Sequence, residues 1–149
     1  KKNKICLQFN KLMLKLQLNY FGGAIIKKLL KGYIKNITEN ELTKINTTAI
    51  KTTEELKFLL DSTQNKLQIK KDKAILVRKD TEKEITFTFC KDTKTEIKIK
   101  LLENGLYVKV PIKTTNLEIT ENNINIFYTI IDNNIEYELK IQLEDELWV

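Results

Sequence analysis

The sequence predicts an all-β domain whose strands either close into a barrel or stack as a sandwich, and three observations carry that prediction. From Glu84 to Leu143, five runs alternate apolar and polar residues: EITFTFC, TEIKIKLL, GLYVKVPIKTTNLEIT, NINIFYTII and IEYELKIQL. Such a period of two puts one row of side chains against a core and the other in water. Each run is closed by Asp, Asn, Thr or Gly, residues that form tight turns or tolerate positive φ. Finally, short strand-like segments at similar spacing reach back to Gly32, which is the rhythm of an antiparallel meander.

In chain order, KICLQF and LMLKLQLNYF in residues 1–23 both alternate and predict a hairpin around Asn10-Lys11. The chain begins without Met and carries Gly22-Gly23 just before the pattern restarts. A GGA-GGN codon pair there would resemble a ribosome-binding site, so translated leader upstream of about Ile26 is the alternative expectation. Residues 1–28 are therefore read as an N-terminal extension, an extra hairpin or leader, and residues 29–149 as the β-barrel domain. AIIKKLLK (Ala24–Lys31) spaces Ile25, Ile26, Leu29 and Leu30 as one turn of helix, or leads straight into a strand.

Strands are then predicted at Tyr33–Ile37, Leu42–Lys51 and Glu55–Leu60, with Asp61–Asn65 as a turn. Lys66–Lys70 pairs across Lys71-Asp72-Lys73 with Ala74–Lys79. In the later runs Ile85, Phe87 and Phe89 share a face, as do Ile97, Ile99 and Leu101, then Ile124, Ile126, Tyr128 and Ile130, then Ile135, Tyr137, Leu139 and Ile141. Asn104-Gly105, Asn122-Asn123 and Asn133-Asn134 supply hairpin turns. Pro111 has no N–H for a ladder and is expected at an edge or a bulge after Val110.

Composition narrows the function classes. The 149 residues, 42% hydrophobic with one Pro and four Gly, suit one domain with its own core. No run approaches the ~20 apolar residues of a membrane helix, and no signal-peptide pattern is seen in these residues, so the expectation is cytoplasmic with no membrane partner. The absence of His removes the commonest general base and the Ser–His and Cys–His dyads. Cys6 and Cys90 lie far apart without zinc or redox spacing and are expected to be reduced. Paired carboxylates at Glu136 and Glu138 alternate with core-facing Tyr137 and Leu139 and read as a solvated face. Asp132, Asn133 and Asn134 lack the further oxygens a calcium site needs. The chain is expected to be non-enzymatic, with no cofactor and no metal.

The charge of +6 comes from 26 basic and 20 acidic residues, and Arg78 is the only Arg. Lysines alternating with acids read first as a wet sheet face. A Lys-rich outer face serving a polyanion- or RNA-associated accessory protein is the alternative, with nucleic acid the less favoured partner. Among the aromatics, Phe87, Phe89, Tyr107, Phe127, Tyr128 and Tyr137 offer either core packing or stacking platforms for single strands.

ILVRK (Ile75–Lys79), ITFTF (Ile85–Phe89), KTE (Lys94–Glu96), IKTTNLEI (Ile112–Ile119) and NIFYTI (Asn125–Ile130) follow, in order and spacing, the pattern of YwiB-like proteins. The chain resembles this family of small uncharacterised bacterial proteins, mostly from Firmicutes, over roughly Gly32 to Leu143. T-x-x-L-x-I at Thr114–Ile119 is the most characteristic piece. The resemblance implies a single antiparallel lipocalin-like (calycin-type) β-barrel of about eight to ten strands, and no catalytic residue.

On that fold the leading expectation is a binding module for a small apolar or anionic ligand. The ligand would lie among side chains of the Phe87, Ile99, Val108 and Tyr128 strands. Arg78, in phase with Ala74 and Leu76, would stand near the mouth to meet a carboxylate or phosphate. The alternative for Arg78 is an aliphatic stem over the core with its head in water. An eight-stranded barrel can be filled by its own side chains or hold one ligand, and the sequence leaves both open. The oligomeric expectation is a monomer or a homodimer through edge strands near Pro111.

Overall fold

The computed structural model describes residues 25–145, and the expectations that fall on residues 1–24 and 146–149, Cys6 and Trp148 among them, lie outside the described residues. Ten strands run in chain order: β1 (Ile26–Asn36), β2 (Glu41–Lys51), β3 (Glu55–Leu60), β4 (Thr63–Lys70), β5 (Lys73–Lys79), β6 (Lys83–Cys90), β7 (Lys94–Leu101), β8 (Tyr107–Ile119), β9 (Asn123–Ile130) and β10 (Ile135–Asp145). Each pairs antiparallel with its sequence neighbours, and β10 returns to pair with β1. The result is a closed up-and-down barrel, which leaves no full-length edge strand.

From Ile26 on, AIIKKLLK is strand: Ile26–Asn36 is continuous, with Leu30 and Gly32 on the lumen side. The predicted turn Asp61–Asn65 shrinks to Asp61-Ser62, because Thr63 and Asn65 already pair with β3. Positive φ occurs at Asn40, Asp61, Asp92, Asn134 and Gly105. Asn104-Gly105 and Asn133-Asn134 therefore turn as expected. The chain also turns at Asn122, but without positive φ there: Asn123 opens β9, and the Thr120 hydroxyl accepts its N–H. Pro111 is neither at an edge strand nor at the bulge, which falls between Thr114 and Asn116. It sits where the β8–β9 ladder ends, accepting from Ile131 N–H at 3.1 Å, so its missing donor leaves no gap inside the ladder.

The turns after β2, β4, β6 and β8 lie at one end of the barrel, and those after β1, β3, β5, β7 and β9 at the other. Toward the first end the lumen is filled. Leu30, Leu56, Leu67, Ala74, Ile126 and Ile141 are fully buried and interdigitate from six strands. Lys28 and Asp145, opposite one another across the β1–β10 seam, form an ion pair at that end. The seam itself is tight, since a Cβ on Gly32 would lie 1.9 Å from the Lys140 carbonyl oxygen.

Two surface carboxylates have pKa values below the ordinary range. Asp80 accepts from the Glu82 and Lys83 backbone N–H groups at 2.8 and 2.9 Å, which hold its carboxyl low. Asp145 is held low by its hydrogen bond from Lys28. A depressed folded pKa contributes stability that is present above the unfolded value of about 3.9 and is lost as pH falls through the folded value. Asp80→Asn and Asp145→Asn should therefore flatten the decline of thermal midpoint below about pH 4. A decline parallel to wild type in both variants would refute the assignment.

Candidate binding cavity

At the other end the lumen is hollow. A cavity of about 260 Å³ lies among β1, β5, β6, β7, β9 and β10. Alternation explains its wall: Ile34, Leu76, Ile85, Ile97, Ile130 and Leu139 all sit on inward register positions. Four aromatic rings complete it. Phe89 of β6 meets Tyr128 of β9 at 5.1 Å between ring centroids, although two strands separate them around the wall. Phe87 lies 5.8 Å from Phe89, and Tyr137 stacks on Tyr128 at 5.3 Å with rings 12° apart. Offset and tilted pairs at such distances are favourable beyond their burial.

Among the described residues, Arg78 is the one charged residue in the wall. It faces the lumen because its cross-strand partners are Asn65 and Ile85, both inward. Its Nε is buried and has no hydrogen-bond partner among the described residues. Asn65 is also buried, but its amide donates to the Thr63 carbonyl at 3.2 Å and not toward the cavity. Of the ion pairs formed among the described residues, none involves Arg78. A buried guanidinium N–H without an acceptor costs about 1–3 kcal/mol, more because the group is charged.

The neighbouring Tyr128 hydroxyl is neutral. Burial pushes the Tyr128 phenol well above its ordinary value, Tyr137 beside it adds to the rise, and the Arg78 charge opposes it. Asn36 bridges the rim, its amide donating to Tyr137 Oη and Glu39 Oε2, each at 3.5 Å. The described residues place no carboxylate, thiol or lysine in the wall. Cys90, a free thiol, pairs with Lys73 and shares its outward face. Among the described residues no cluster of His, Cys, Asp or Glu could hold a metal ion.

Of the residues singled out from sequence, Arg78, Phe87, Ile99 and Tyr128 come together in this wall, and Val108 does not. Val108 does pair with Ile99 and shares its face. However, β9 meets β8 only from Ile112 onward, so residues 107–110 run past the closed wall and Val108 is 62% exposed. Sequence reasoning did not name Ile34, Tyr137 or Leu139 for the site, although their alternation on β1 and β10 was the available signal.

Fold and site together define a small up-and-down β-barrel with a packed end and an open, arginine-bearing end. No family model matches the chain, and no curated protein matches it. Among solved structures it is similar to the crystal structure of ywiB protein from Bacillus subtilis, with a TM-score of 0.60 and 15% sequence identity. That likeness covers 83% of this chain and 92% of the other. At this identity the two share a fold of YwiB type.

Proposed function

We propose that the barrel is a non-enzymatic binding module for a small apolar anion, seated in the open end with its charged group at Arg78. The observation that carries this reading is the buried Arg78 Nε without an acceptor among the described residues, in a mostly apolar wall whose other polar groups are the Tyr128 and Tyr137 hydroxyls. A ligand carboxylate would supply the missing acceptor through a charge-assisted bond, and Arg favours bidentate geometry. The cavity is slightly smaller than the 300–1,000 Å³ range of drug-sized sites and about nine times the liquid volume of one water. It therefore suits a medium-chain or single-ring carboxylate. Among the described residues no carboxylate or lysine lines the wall to act as a general base, which supports holding the ligand over transforming it.

Native mass spectrometry of gently purified protein would reveal a stoichiometric ligand lost on denaturation. The sharper test is calorimetry with matched pairs, octanoate against octanol and 3-phenylpropionate against 3-phenylpropanol. The acid of each pair should bind about 10- to 100-fold tighter, as expected for a hydrogen bond to a charged group. Equal affinity for acid and alcohol would mean that Arg78 does not read the head group. No binding of either pair would refute the reading.

A further inference from the structure

The outer face of β7 and β8 carries a charge arrangement that the fold does not require. Register places Lys94 directly opposite Lys113 and Lys98 directly opposite Lys109, with Lys100 next along β7, and all five lysines are exposed. Like charges directly opposite across a ladder are destabilising. Glu96, 3.6 Å from Lys109, and Glu84, opposite Lys100 on β6, partly offset them, and Glu118 lies further along β8. An exposed pair such as Glu96–Lys109 contributes little.

In the same stripe stands Tyr107, opposite Lys100 and 53% exposed. The Lys98 ammonium sits 4.4 Å from its ring centroid and that of Lys109 5.7 Å away. The other aromatics named above that sit on inward positions belong to the cavity wall; Tyr107 points outward among cations.

We propose that this face binds single-stranded nucleic acid, with the lysines on phosphates and a base stacked on Tyr107. Lys94 to Lys100 spans about 20 Å of strand, enough for several nucleotides. Basic grooves with a stacking ring are the recurring design for such ligands. A duplex would offer Tyr107 no free base face. An anionic lipid surface fits less well, because Glu103 stands in this hairpin's tip and Asp80 and Glu82 in the β5–β6 turn beside it. The face is separate from the cavity, so either proposal can fail alone.

The test is fluorescence anisotropy of the full chain with labelled oligo-dT and oligo-rU of about 15 nucleotides. Arms with the matching duplex and with phosphatidylserine vesicles run alongside. Single strands of either sugar should bind, with a log–log salt slope approaching about −3.5 if all five lysines meet phosphates. Tyr107→Ala should weaken binding about tenfold while Tyr107→Phe retains it. Lys113→Glu should cut the slope by at least about 0.7, yet raise the thermal midpoint by about 2 °C by reversing a like-charge pair. The opposed signs separate a lost contact from a damaged fold. Equal affinity for duplex, binding to vesicles without binding to single strands, indifference to Tyr107→Ala, or no binding at low salt would each overturn the proposal.

Discussion

Gly32→Ala is expected to destabilise the barrel by about 3 kcal/mol or more, at the upper end for overpacking. Gly32 lies on β1 opposite Ile141, in the ladder that closes the barrel against β10. An added Cβ would lie 1.9 Å from the Lys140 carbonyl oxygen, 2.9 Å from its carbon and 3.1 Å from the Ile141 Cα. These are backbone atoms, so no rotamer change relieves the clash. Restoring an ordinary carbon–oxygen contact moves one strand about 1.4 Å, enough to stretch the bonds on either side of the seam. For a domain of this size the loss corresponds to a thermal midpoint about 10 °C lower. Opened β1 and β10 edges would also template aggregation.

Gly105→Ala is the informative control. Gly105 has φ +73° and nothing near its Cβ position, so Ala there meets only left-handed backbone strain of about 1–2 kcal/mol. Urea unfolding midpoints of the two variants should therefore rank Gly32→Ala well below Gly105→Ala. The reverse order, or a Gly32→Ala loss under 1 kcal/mol, would show that β1 and β10 have room to spare.

Which side chains face the core was legible wherever alternation was unbroken, as in Ile85, Phe87 and Phe89, or Tyr137, Leu139 and Ile141. It failed where an inward position is polar. Thr63 and Asn65 read as turn residues because a buried Asn near Asp61 breaks the binary pattern, yet both face the lumen. Lys28, inward beside Leu30, likewise blurred β1 into a helix turn. Departures from local pattern concentrate where a fold serves something besides stability, and Asn65 sits directly across from Arg78. Val108 failed for another reason. Its face was correct, but how far a hairpin outruns its neighbours depends on register and shear around the whole barrel, which no single strand encodes. Whether the lumen is hollow is likewise a property of ten strands together, set by their summed side-chain volume.

Arg78→Met should act with opposite signs on stability and on binding. In the ligand-free barrel the buried Nε lacks an acceptor, and the Arg78 stem already lies among Leu76, Ile85 and the aromatic rings. Met fills a similar path with no buried N–H to desolvate, and an apolar replacement for a group with an unsatisfied buried donor is neutral or stabilising, by about 1–3 kcal/mol. The same change removes the one cation that the described residues place in the wall. A bound carboxylate would then have no charged partner there and at most a tyrosine hydroxyl, so octanoate affinity should fall by about 2–5 kcal/mol, at least 30-fold. Octanol, which never used the charge, should bind as well as before or better. Arg78→Lys keeps the charge but loses the planar fork, and should recover only part of the acid's affinity. Thermal melts and calorimetry on the same preparations decide the matter. A destabilised Arg78→Met protein would show that Arg78 is satisfied within the fold, and an unchanged preference for acid over alcohol would place the anion's recognition elsewhere.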